Sequence, residues 1–165
     1  MAGKSEFIIS RVFNAPRELV FQAFTQAEHL KHWWGPKGVS IKIYTLEVKP
    51  GGIIHYSMTH PDGSVVWGRF TFQEIVAPER LSFLNAFSDE KGNIAPAPFD
   101  PAFPKQVLNE WTFAELNGKT TVTLKATAFK ASAESQTCFE NLFSSMTGGY
   151  GGMFDVFENY LTTLK

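Results

Sequence analysis

Near the C-terminus Met146, Tyr150, Met153, Phe154, Phe157, Tyr160, Leu161 and Leu164 recur at helical spacing behind a glycine cluster, Thr147 to Gly152. On a helix these side chains make one broad apolar and aromatic face. A face of that width cannot be left in water, and the short alternating patterns upstream supply a sheet as its partner. A helix laid across a curved sheet encloses space, so ligand binding is the leading functional expectation.

The 165 residues are enough to bury a core without disulfides or structural metal, and the expectation is one domain over 1–165. Fifteen basic and sixteen acidic residues give a formal charge of −1, which provides no field for a polyanion, so nucleic acid is not an expected partner. One cysteine, Cys138, excludes an internal disulfide framework. The start MAGKSEFIISRVF has no long apolar core of a signal peptide, and no apolar run approaches the ~20 residues that span a bilayer. A cytoplasmic monomer or homodimer is expected, with no membrane span.

The first strand is expected over Glu6 to Phe13, with Phe7, Ile9 and Arg11 on one face and Ile8, Ser10 and Val12 on the other. Two short helices follow. Asn14 is the expected cap of the first, with Pro16 in its first turn and Leu19, Val20, Ala23 and Phe24 at helical spacing. The second carries a capping-box pattern, Thr25 and Glu28, and should end near Trp33, ahead of Gly35 and Pro36. Beyond Val39 the signals are strands and turns, with breaks at Pro50-Gly51-Gly52, Pro61-Asp62-Gly63, Pro78 and Asn117-Gly118. The strand runs are 39–48, 53–60, 64–76, 80–88, 106–116 and 119–129, a meander. Between Ser88 and Lys105, prolines 96, 98, 101 and 104 exclude a regular strand. The plain reading is a solvated connection; the alternative is a lid carrying Phe99 and Phe103 over a cavity.

A family resemblance is carried by ISRVFNAPRELVFQAFTQAEHLKHWWGPKG (Ile9 to Gly38), VKPGG (Val48 to Gly52), PDG (Pro61 to Gly63), GRFTFQEIVAPERLSF (Gly68 to Phe83) and GGYGGMFDVFENYL (Gly148 to Leu161). Together these stretches span most of the chain, which resembles the activator of Hsp90 ATPase homologue-like family of the START-like (SRPBCC) superfamily. The resemblance implies an α+β helix-grip fold: a curved antiparallel sheet of about six or seven strands wrapped around a long C-terminal helix. It implies no single activity, since relatives of that kind include a chaperone co-activator domain, hydrophobic ligand binders, polyketide cyclases and a minority of other enzymes. Eukaryotic chaperone activators carry an additional N-terminal domain, whereas this sequence is expected to begin directly at its first strand.

Residues two apart on a strand share a face, which gives three strips: Ile54, Tyr56 and Met58; Leu81, Phe83, Asn85 and Phe87; Val107, Asn109, Trp111 and Phe113. The expected ligand-binding set is Tyr56, Met58, Phe83, Asn85, Phe87, Asn109, Trp111 and Phe113 from the sheet, with Met146, Tyr150, Met153, Phe154 and Phe157 from the helix. An unpaired buried amide costs roughly 1–3 kcal/mol. Asn85 and Asn109 therefore either hold a polar group of a ligand, with Tyr56, or bond to each other or stand exposed at a strand end. Of Trp33 and Trp34, about 100° apart on a helix, one is expected inside and the other at a pocket mouth or partner surface.

Catalysis and metal binding have weaker signals. His29 and His32 share a helical face but lack the third ligand of a zinc site, and His55 and His60 fall on opposite faces of one strand. Glu110 alternates with Asn109 and Trp111 and is expected outward, while Glu74 and Arg80 are expected in surface contacts. Cys138 has no histidine near it in sequence and reads as an inert thiol. Gly148, Gly149, Gly151 and Gly152 read as a break between helices, or as a hinge, rather than a phosphate cradle. No catalytic residue, metal or cofactor is expected. The expected partner is a hydrophobic small molecule, with a protein-interaction module or a cyclase- or hydrolase-type enzyme as alternatives.

Overall fold

The computed structural model describes residues 6–164; Met1–Ser5, from the N-terminal stretch considered above, and Lys165 lie outside the described residues. The elements run β1 (Glu6–Phe13), α1 (Arg17–Thr25), α2 (Ala27–Leu30), β2 (Ser40–Leu46), β3 (Ile53–Thr59), β4 (Val65–Val76), β5 (Arg80–Ser88), β6 (Val107–Leu116), β7 (Lys119–Ala128), α3 (Ala133–Asn141) and α4 (Phe143–Thr162). One antiparallel sheet has the order β1-β7-β6-β5-β4-β3-β2. The expected helix grip is present, with seven strands and a long C-terminal helix.

Alternation fixes the inner face of the sheet. Phe7 aligns with Ala126, Ala126 with Asn109, Asn109 with Phe83 and Phe83 with Phe72, a continuous buried row across five strands. Arg11, inward on the edge strand β1, reaches α4: its guanidinium donates to Asp155 Oδ1 at 2.7 Å and to the Gly151 carbonyl at 3.3 Å. The aromatic core then closes through Phe13 against Phe154 and Phe157, with ring centres 5.6 and 4.9 Å apart. On the outer face Glu110 meets Lys125 at 3.5 Å, as the alternation predicts, and Glu74, turned outward by the β-bulge between Phe72 and Glu74, makes the expected surface contact with Arg80 at 2.9 Å.

Several local expectations are corrected. The first helix takes Pro16 rather than Asn14 at its N-cap and has no side-chain cap of its own. Its Arg17 amide instead donates to Glu115 of β6 at 2.6 Å, a carboxylate brought from the sheet to the positive end of the helix. The Thr25–Glu28 capping box does not form: Thr25 closes α1 by donating its hydroxyl to the Phe21 carbonyl at 2.9 Å, and Gln26 caps α2. The second helix stops at Leu30, before Trp33. The irregular turn that follows, ending on Gly35 at φ +97°, lets Trp33 and Trp34 both enter the core, where they are 2 % and 6 % exposed. The glycine cluster does not interrupt a helix; α4 runs straight through it, and the break lies at Leu142. Burial of Met153, Phe154, Phe157 and Leu161 overrides the local cost of the glycines.

Gly68 marks a close approach. A Cβ there would stand 2.5 Å from Tyr56 Cζ and its hydroxyl, so the Tyr56 ring lies flat over bare backbone. Gly68→Ala is expected to cost roughly 1–3 kcal/mol through overpacking. A lowered urea midpoint at unchanged slope checks this, and an unmoved midpoint would mean that the ring relocates freely.

Candidate functional site

The space between sheet and α4 divides into two halves. Toward α1 it is filled. Phe24 contacts Trp33, Trp34, Phe83 and Trp111 with ring centres 5.4, 5.7, 5.9 and 4.8 Å away, and Trp33 stacks on Phe157 at 4.0 Å. The Trp33 indole donates to the Ala23 carbonyl at 2.9 Å, which settles its polar atom. The other half is a cavity of about 620 Å³. Its sheet wall is Tyr56, Met58, Val66, Asn85, Ala86, Phe87 and Val107, and its helical wall is Phe139, Leu142, Ser145, Met146, Gly149, Tyr150 and Met153. Trp34-Gly35-Pro36 and His60 border it on one side, and Pro98, Phe99, Phe103 and Pro104 of the proline-rich connection on the other.

Of the thirteen ligand-site positions expected from sequence, the structure brings Tyr56, Met58, Asn85, Phe87, Met146, Tyr150 and Met153 onto this wall. Phe83, Asn109, Trp111, Phe113, Phe154 and Phe157 are off it, each at most 2 % exposed in the filled half. Strand alternation identifies the inward face but not where along it the α1 and Trp33 side chains plug the space. The two asparagines separate accordingly. Asn85 donates to the Tyr56 hydroxyl at 3.4 Å and to the Arg69 carbonyl at 3.2 Å, whereas Asn109 donates to the Val107 carbonyl at 3.2 Å and leaves Oδ1 without a hydrogen-bond partner.

Sequence reasoning did not place Pro36, His60, Val66 or the α3 end in the site, and it left Val107 out of the ligand set although Val107 stands on the same alternating strip as Asn109. The Phe99 and Phe103 lid was visible as an alternative. Those rings pack on Phe87 at 5.7 and 6.2 Å and on each other at 5.1 Å, and Phe103 meets Phe139 at 6.0 Å. The connection is therefore part of the wall rather than a solvated bypass. Trp34, the other alternative, is also a lining residue.

Tyr56 and Tyr150 are the hydroxyl-bearing aromatic side chains of the wall. Burial pushes the Tyr56 phenol up, against smaller opposing effects of hydrogen bonds from Trp34 and Asn85. Tyr150, although part of its surface faces the cavity, is withdrawn from bulk water and raised much further, first by that desolvation and then by the nearby Tyr56. Both ionise less readily when folded, so the stability they contribute is fully present below the ordinary tyrosine value of 10.0 and is lost as pH rises above it. Tyr150→Phe is expected to flatten the fall of stability above pH 10, as urea midpoints across that range would show; an identical fall in the variant would remove Tyr150 from the account.

The remaining candidates do other work. His29 Nδ1 lies 2.6 Å from the Tyr160 hydroxyl and His32 stacks on the same ring at 4.9 Å, so this pair clasps the end of α4. His55 stacks on Trp67 on the outer face. Cys138 lies 3.6 Å from Asp100 Oδ2, and burial followed by that negative charge raises its thiol, which opposes thiolate formation. No group of three or more metal-ligating side chains occurs among the described residues, and none of their helices is long and apolar enough to cross a membrane.

A family model described as "Activator of Hsp90 ATPase homolog 1-like protein" matches residues 14–162. No curated protein matches the chain. Among solved structures it is similar to a crystal structure of a protein from Mycobacterium smegmatis, at 27% identity and TM-score 0.77 over 94% of this chain and 90% of that one. A solution structure of a protein from Arthrobacter aurescens has 28% identity and TM-score 0.74 over 94% and 83% of the two chains. The AHSA1 protein from Silicibacter pomeroyi, at 13% identity, shares the fold with TM-score 0.74 over 98% and 100%.

Proposed function

The chain belongs to the Activator of Hsp90 ATPase homolog 1-like family, and from that premise we propose that it is a START-like binder of a small or medium hydrophobic molecule, held between the sheet and α4. The observation that carries this reading is the cavity of about 620 Å³, with a wall of aromatic, methionine and proline side chains and a few polar atoms. That size and lining match small-molecule sites in general. In this reading residues 1–165 act as one START-like domain, without cofactor, in the cytoplasm.

Native mass spectrometry of freshly purified protein and titration with the neutral dye N-phenyl-1-naphthylamine test it together. A co-purifying molecule at one per chain, or saturable dye fluorescence at that ratio, is the expected result. A bare mass together with dye fluorescence that rises linearly without saturating would sink the reading.

One observation favours a second reading, a protein-interaction module related to the chaperone ATPase activators. On the outer sheet face Tyr44, 46 % exposed, packs on Trp67 and His55 at 5.2 and 5.7 Å, and the Lys42 ammonium stands 5.1 Å from the Tyr44 ring centre. Such an aromatic and basic patch suits a protein partner. Stimulation of a chaperone's nucleotide turnover, lost in Tyr44→Ala, is its signature. A cyclase- or hydrolase-type enzyme has the least support: the wall contains no carboxylate, thiol or amine, and its imidazole and aliphatic hydroxyl, His60 and Ser145, share no hydrogen bond.

A further inference from the structure

Tyr56, Asn85 and Tyr150 put polar atoms on the cavity wall, as do His60 and Ser145, and the hydrogen bonding of the first three bears on what can be placed against them. The Tyr56 oxygen accepts from Asn85 Nδ2 at 3.4 Å, and no described residue accepts the Tyr56 proton. A phenolic oxygen has two acceptor positions and one proton to give. With Asn85 donating to the oxygen and its own proton uncommitted, the Tyr56 hydroxyl offers that proton to the cavity. Tyr150 has no hydrogen-bond partner among the described residues, and its hydroxyl is a second donor available to the same space.

No lysine or arginine belongs to the wall. Arg69, nearest in sequence register, spends its guanidinium on the Gly92 carbonyl at 2.8 Å and Thr71 Oγ1 at 3.1 Å. His60 is four residues along the chain from Tyr56, roughly 13 Å on an extended strand, and lies beside Asp62. A carboxylate seated on the tyrosines would therefore be desolvated without a countercharge, which costs several kcal/mol.

We infer that this cavity selects an uncharged apolar molecule bearing a hydrogen-bond acceptor, a ketone or ester carbonyl or an ether, seated on the Tyr56 hydroxyl, and that it rejects the corresponding carboxylate. The inference rests on the ligand-binding reading above and narrows it. Burial that raises both tyrosines is independent support, since a site that disfavours a phenolate disfavours a ligand anion for the same reason.

The test is displacement of N-phenyl-1-naphthylamine at about pH 8, where a fatty acid is ionised, by tridecan-2-one and by dodecanoate, which has the same tail and nearly the same shape. The ketone is expected to bind more than about thirtyfold tighter. Tyr56→Phe should weaken the ketone about five- to tenfold more than it weakens the dye, the loss of one hydrogen bond. Tyr150→Phe provides a second variant should Tyr56→Phe fold poorly. Dodecanoate binding as well as the ketone, or both variants weakening ketone and dye equally, overturns the inference while leaving the cavity a binding site. Absence of any saturable dye binding overturns both.

Discussion

Phe83→Ala is expected to lower stability by about 3–5 kcal/mol. Phe83 is 0 % exposed and stacks on Phe70 with ring centres 4.0 Å apart and planes 14° from parallel. Phe24, Phe72 and Trp34 enclose it at 5.9, 6.1 and 6.5 Å. Phe70, Phe24 and Trp34 are each held by further rings, Phe70 by Tyr56 at 5.5 Å, Phe24 by Trp111 at 4.8 Å and Trp34 by Trp33 at 5.8 Å, which limits their collapse into the space left behind. The loss is read as a drop in the urea midpoint at constant slope. A cost below about 1 kcal/mol would instead place Phe83 beside open volume, as a lining residue.

The second large effect is functional. Gly149→Trp is expected to weaken binding of N-phenyl-1-naphthylamine more than about a hundredfold by filling the cavity, at little or no cost in stability. Gly149 lines the cavity from within α4, and a Cβ added there meets nothing within 4 Å. Replacing a mid-helix glycine removes a cost of about 0.5–1 kcal/mol, which offsets the entropy of placing the new ring. Dye titration and thermal unfolding of the same preparation give both numbers. Unchanged dye binding in a folded variant would remove the cavity from consideration and turn attention to the outer Tyr44 patch.

The strands were legible because their side chains alternate and their turns carry the residues that turns require. Asn117 and Gly118 take φ +55° and +77°, and the hairpin joining β6 to β7 falls where the Asn-Gly pair predicts it. The long helix was legible from its apolar face, but its continuity through the glycines was not, since that is decided by Phe154 and Phe157 meeting Phe13 from the far end of the chain. The same limit governs the candidate site. Trp111 and Asn85 have equal claims in a strand pattern, yet Trp111 is covered by Phe24 at 4.8 Å and Phe154 at 6.0 Å, while Asn85 looks into the cavity. Only the packing of α1 against β6 tells them apart.

The pairing of β1 with β7, from Glu6 opposite Thr127 to Phe13 opposite Thr120, has a consequence in time. A ribosome delivers the first strand long before the strand that must receive it. Every hairpin from β2 to β5 can close as it emerges, but Phe7 and Phe13 stay uncovered until synthesis has passed β7 and α4. The nascent chain thus carries an unpaired, aromatic first strand through most of its translation. A ribosome that stops anywhere before Lys119 releases a product with neither a partner for that strand nor a helix to roof the sheet.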